Sequence, residues 1–178
     1  SRKAEEEAAA VEMEEEEAAA TKPPLATTLE GELLQAARDG NEAEVRRLMD
    51  SGVGPDPART ADETETALHA AAKAGHVALV RLLLRRGASL TARVKADKAR
   101  SPLHVASHHG QADVVALLLE SGAPVNAGEV ANWRPLHEVS HTGHLKIAQQ
   151  LIAAGADTNA HADGGGSSCL HQLYHQPY

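Results

Sequence analysis

Beyond residue 28 the chain alternates short apolar helical patterns with glycine stops. Val80-Arg-Leu-Leu-Leu84 ends at Gly87-Ala88, and Val115-Ala-Leu-Leu-Leu119 ends at Gly122-Ala123. Each stripe follows a glycine, Gly75 or Gly110, that closes a shorter apolar segment before it. The spacing predicts a short helix, a turn, a longer helix with one leucine-rich face, and a stop. Thr28 reads as the N-cap of the first helix, just before Leu29. Residues 1–24 have no such face. Eight glutamates stand there against Arg2, Lys3 and Lys22, a net charge of 3 - 8 = -5, and like charges such as Glu12 and Glu16 repel one helical turn apart. Residues 1–27 therefore read as a solvated acidic tail, with a lure for a basic partner as the other reading.

The pattern is a repeat. Thr66-Ala-Leu-His-Ala-Ala71 returns as Ser101-Pro-Leu-His-Val-Ala106, as Arg134-Pro-Leu-His-Glu-Val139 and as Ser168-Cys-Leu-His-Gln-Leu173, with histidine steps of 35, 33 and 34 residues. The glycine pairs Gly40/Gly52, Gly75/Gly87, Gly110/Gly122 and Gly143/Gly155 each stand twelve apart, and Leu34 takes the histidine's place in the earliest copy. These residues resemble the ankyrin repeat, with its period of about 33 residues and T-P-L-H-x-A signature. The resemblance covers residues 28–178: a cap-like unit (28–60), full units at 61–95, 96–128 and 129–162, and an incomplete unit (163–178). It implies an all-α ankyrin-repeat solenoid of stacked helix-turn-helix units, with short β-hairpin-like fingers or loops between them. One unit cannot bury its stripe; neighbours must cover it.

The fingers depart from the family pattern. Where it usually has Asp and, three residues on, Gly, this chain has Ala61 and Thr64, Ala96 and Ala99, Glu129 and Asn132, Asp163 and Gly166; of the second positions only Asn132 and Gly166 readily take positive φ. Residues 51–58, with Pro55 and Pro57, read as a loop. The final unit stops at Tyr178, before a second helix.

Composition narrows the function. A formal charge of -8 over 178 residues disfavours nucleic acid and anionic membranes as partners, and three aromatic rings, Trp133, Tyr174 and Tyr178, make no base-stacking platform. No apolar run has the length of a membrane span. The lone Cys169 suits a reducing compartment, cytoplasm or nucleus. The chain reads as a monomer that needs no cofactor.

Eleven histidines invite a metal reading. His69, His104, His137 and His171 fall in the signature, where the resemblance implies hydrogen bonds tying units together. His76 and His144 read as unit-boundary residues. His108, His141 and His175 recur four residues after a signature histidine, but helices about 8–10 Å apart cannot converge three such nitrogens on one zinc ion. Cys169 with His171 has no oxyanion hole or acid–base partner to make it a nucleophile, and Asp163-Gly-Gly-Gly-Ser167 lacks the Lys-Ser/Thr ending of a phosphate loop. The chain therefore reads as non-enzymatic.

The resemblance implies a protein-binding adaptor or scaffold that uses a concave face of fingers and first-helix ends. Carried over position by position, that face holds Glu65 and Lys73; Asp97, Lys98, Arg100, His108 and His109; and Val130, Trp133 and His141, with Arg93 and His161 reaching it from the preceding units. Trp133 is either the anchor of a partner or a ring packed over Val130. Two alternatives follow from the same residues. Trp133, His137 and Glu138 resemble the groove of chromatin-associated ankyrin domains that read a basic histone-like tail, although Arg93, Lys98 and Arg100 would repel such a peptide. The other is a subunit of an enzyme complex, such as a ubiquitin-ligase substrate adaptor, or a metal-dependent protein.

Overall fold

A computed structural model describes residues 25–56, 65–93, 100–128 and 132–161, with side chains in the first helix from Leu29 onward. Among these residues lie eight helices: α1 (Leu25–Asp39), α2 (Glu42–Asp50), α3 (Ala67–Ala74), α4 (Val77–Arg85), α5 (Pro102–His108), α6 (Ala112–Glu120), α7 (Pro135–Thr142) and α8 (Leu145–Ala153). They pair as α1/α2, α3/α4, α5/α6 and α7/α8 and stack in sequence order, so that α1, α3, α5 and α7 form an inner row and α2, α4, α6 and α8 an outer one. No β-strand forms among the described residues.

Columns of equivalent side chains build the core. Leu33, Leu68, Leu103 and Leu136 run through the inner row; Leu48, Leu83, Leu118 and Leu151 run through the outer row, all buried. Val45, Val80, Val115 and Ala148 lie beside the second column, and these side chains join one continuous cluster. The apolar stripe thus meets its counterpart in the next unit, as the sequence pattern requires. Small side chains, among them Ala36, Ala71 and Ala106, keep the inner row close-packed.

The inner helices start on polar caps. The Thr66 hydroxyl accepts a hydrogen bond from the His69 backbone N–H at 3.3 Å, while Pro102 and Pro135 occupy first-turn positions whose N–H groups would otherwise be unsatisfied. The first helix departs from expectation. It begins at Leu25, directly after Pro23-Pro24, so Thr28 lies inside the helix and is not its cap. The proline pair marks the boundary instead. The loop after α2 is irregular over 51–56, as its prolines demand, and Val53 turns inward onto the core. Asn132 is the one described non-glycine residue at positive φ, 57°, in keeping with its side chain. The remaining finger residues (57–64, 94–99 and 129–131) and the incomplete unit at 163–178 lie outside the described residues.

All eight paired glycines have positive φ. At Gly75 and Gly110 a second constraint applies. A Cβ on Gly75 would collide with Gln111 Oε1, and one on Gly110 would meet the His144 ring at 2.8 Å, whereas Gly122 faces open space. Gly110→Ala is therefore expected to cost more than Gly122→Ala. We expect about 1–2 kcal/mol from the left-handed backbone alone at Gly122, and about 1 kcal/mol more at Gly110 from the displaced ring; urea unfolding of the two variants measures the difference.

Candidate partner-binding surface

Two histidine-rich ladders fix each unit against the next. In the first, a buried imidazole stands at the start of α3, α5 and α7; those of His69 and His104 cross to the next unit, and that of His137 reaches the end of its own. His69 Nδ1 accepts from the Thr66 hydroxyl at 2.7 Å, and its Nε2–H donates to the Arg100 carbonyl at 3.0 Å. His104 Nδ1 accepts from the Ser101 hydroxyl at 2.7 Å and Nε2–H donates to the Trp133 carbonyl at 3.2 Å. His137 Nδ1 accepts from the Arg134 backbone N–H at 3.0 Å and Nε2–H donates to the Ala160 carbonyl at 3.1 Å. One N–H donor and one lone pair are needed on each ring, so the geometry selects the neutral Nε2–H tautomer.

The second ladder is at the inner-helix C-termini. His76 Nε2–H donates to the Arg38 carbonyl at 3.0 Å, the Gln111 amide to the Lys73 carbonyl at 3.1 Å, and His144 Nε2–H to the His108 carbonyl at 3.3 Å. Each side chain crosses the turn glycine of the preceding unit to reach a helix-end carbonyl left over by the α-helical pattern. Asn41, the equivalent residue ahead of α2, caps its own helix by accepting from the Glu44 N–H at 3.1 Å.

Against these ladders the predicted binding residues sort into three groups. Lys73, Arg93, His109 and His141 are exposed. Glu65, Arg100, His108 and Trp133 are half-buried and engaged with the fold. Asp97, Lys98 and Val130 lie outside the described residues. Arg93 bonds to the Gly128 carbonyl at 2.8 Å across the unit boundary, and His161 offers its carbonyl to Asn132 Nδ2 at 3.2 Å. The Trp133 ring lies over His137, with centroids 5.2 Å apart and planes tilted by 31°. One face of the indole is thus held and the rest is partly open.

Arg100 and His108 are not simply presented to a partner. Both reach inward to Glu138, which is only 2% exposed. Arg100 Nη2 stands 2.7 Å from one carboxylate oxygen and His108 Nδ1 stands 2.9 Å from the other. Both oxygens of this buried carboxylate thus have a donor, one of them the Arg100 guanidinium. Glu138 is consequently unavailable to a lysine from outside, which removes the acidic residue that the histone-tail reading needed.

Sequence reasoning overlooked one member of the face. Arg38 occupies the same place as Lys73, His108 and His141, two residues before the turn glycine, so the four form a basic column along the last turns of the inner helices. Cations there complement the negative end of the helix dipole. The phase of the glycines alone would have found Arg38, since Gly40 marks the first copy. Its guanidinium pairs with Glu65 at 2.9 Å, and with Lys73 the two line a cavity of about 330 Å³ floored by Ala70 and Ala74. No group of three or more His, Cys, Asp or Glu among the described residues is placed to hold a metal ion, and no described helix is long and apolar enough to cross a membrane.

Helix pairs stacked in sequence order define a helical repeat solenoid, a class that builds extended binding surfaces from repeated units. The model of the family described as ankyrin repeats, in three copies, matches residues 33–129 and 92–163. The chain belongs to the ankyrin-repeat family, whose members are typically non-catalytic and mediate protein–protein interaction. No curated protein matches it.

The ladders and the buried carboxylate carry separable consequences. Burial, the largest influence, pushes the His104 imidazole down to about 4, against the opposing pull of the Trp133 carbonyl, while the Arg93 and Arg100 charges lower it further; burial lowers His137 too. An unfolded chain takes up these protons near the ordinary value of 6.5, so between 6.5 and about 4 it binds more protons than the folded one. Stability is full above that window and falls as pH drops through it, by about 3 kcal/mol from His104 alone. Urea unfolding across that range should show the loss, and a flat profile would contradict it. Glu138→Gln removes the carboxylate charge facing Arg100 in a nearly closed setting and is expected to cost about 3 kcal/mol at neutral pH, read by the same unfolding measurement.

Proposed function

We propose that this chain is a non-catalytic adaptor or scaffold that grips a partner protein on its concave flank, between the inner-helix ends and the fingers. The observation that supports this most is the partly open Trp133 ring, fixed by His137 beneath it and by the bond from His104 to its own carbonyl. A pre-positioned indole loses little conformational freedom on binding, which makes it an effective anchor. The exposed Lys73 and His141 of the basic column and the exposed Arg93 favour a partner segment that carries carboxylates.

Charge reversal at Arg100 would be a poor probe, since it would break the bond to Glu138. The informative pair is Trp133→Ala and Lys73→Glu, neither of which removes a buried ion pair. With the immobilised chain as bait, proteins retained by the natural sequence should be lost or weakened about tenfold or more by Trp133→Ala, as for an interfacial hot spot, and less by Lys73→Glu. If both variants retain every partner at unchanged affinity, the concave flank is not the binding surface.

A further inference from the structure

The outer row carries a second surface that the concave reading does not use. Arg46 and Arg81 occupy the same place on α2 and α4, six residues past Gly40 and Gly75, and Arg85 follows Arg81 by one helical turn. All three are exposed and meet no acidic side chain among the described residues. Other cations of the outer row do: Arg47 pairs with Glu44, Arg86 with Asp50 at 2.8 Å, and Lys146 with Asp113 at 3.5 Å. Beside the unmatched pair on α4 opens a cavity of about 340 Å³ between α4 and α6, lined by Arg81, Arg85, Leu84, Leu90 and Leu117. A ligand suited to this surface has several carboxylates and a small apolar element among them.

Residues 1–24 have that chemistry. Glu12 and Glu14 to Glu17 surround Val11 and Met13, and the segment's charge of -5 is most of the chain's -8. Reach is sufficient, because half of its residues fully extended span about 40 Å, while adjacent helix axes lie about 8–10 Å apart. We propose that this acidic segment docks on the outer face of its own chain, with its glutamates on Arg46, Arg81 and Arg85 and the Val11–Met13 stretch over the cavity between α4 and α6. The contact leaves the concave flank open, and it stands or falls independently of the partner-binding reading.

The test uses the full chain with one spin label, placed by Ala9→Cys in a Cys169→Ser background, and reads paramagnetic broadening of backbone amides. Broadening at Leu84, Leu90 and Leu117 is expected, with loss at about 1 M salt, where the screening length falls to about 3 Å. Arg81→Glu with Arg85→Glu should abolish it. So should replacement of Glu14, Glu15, Glu16 and Glu17 by Lys, which touches no described helix, and combining the two sets of reversals should restore it. Absence of broadening in the natural sequence, or broadening that survives both reversals, overturns the proposal. Equal broadening between separate spin-labelled and isotope-labelled molecules overturns it too, by assigning the face to the segment of a second copy.

Discussion

An apolar stripe on a helix nine residues long cannot be shielded by its own unit, and every other feature of this molecule follows from that constraint. The solution is translation: the same leucine recurs at each step beside a valine or, at the last, Ala148, and each step covers the one before. Translation brings a polar problem with it, because every joint exposes backbone carbonyls to a dry interior. The neutral imidazoles of His69 and His104 answer it by accepting within one unit and donating to the next, while His137 donates to Ala160 at the end of its own unit. Apolar burial supplies the driving force, while directional bonds fix the register in which it is realised.

This division explains why the face available for recognition is where it is. The beginnings of the inner helices are closed by caps and imidazoles, and their middles are packed on alanine and leucine. Of the described inner helices, the last turn is left to vary. There the chain places a basic residue in each of four copies and uses them differently, pairing Arg38 with Glu65 and His108 with Glu138 and leaving Lys73 exposed. Repetition provides positions, and departures from repetition provide specificity.

Glu138 shows how a single departure reorganises a joint. The equivalent residues, Ala70 in α3 and Val105 in α5, are apolar. Putting a carboxylate at this buried place requires donors, and the unit before it supplies the Arg100 guanidinium and the His108 imidazole, 38 and 30 residues away in sequence. Residues that look like free surface charge in the sequence are thereby enlisted in holding two units together.

The sequence by itself determined the architecture: the phase of Gly40, Gly75, Gly110 and Gly143, the Leu-His signature and the stripes between them set helix order, unit length and the stacked arrangement. Those properties are local and periodic, so they can be read along the chain. It located the candidate face by the same phase, and it identified Trp133 as unusual by its rarity. It could not say whether Arg100 and His108 point outward or inward, that Gln111 stands in for His76 and His144 at a joint, or that the Trp133 ring lies on His137. Only the tertiary structure decided these, because each depends on how far a side chain reaches across the boundary to a partner in another unit, and no repeat period encodes that distance.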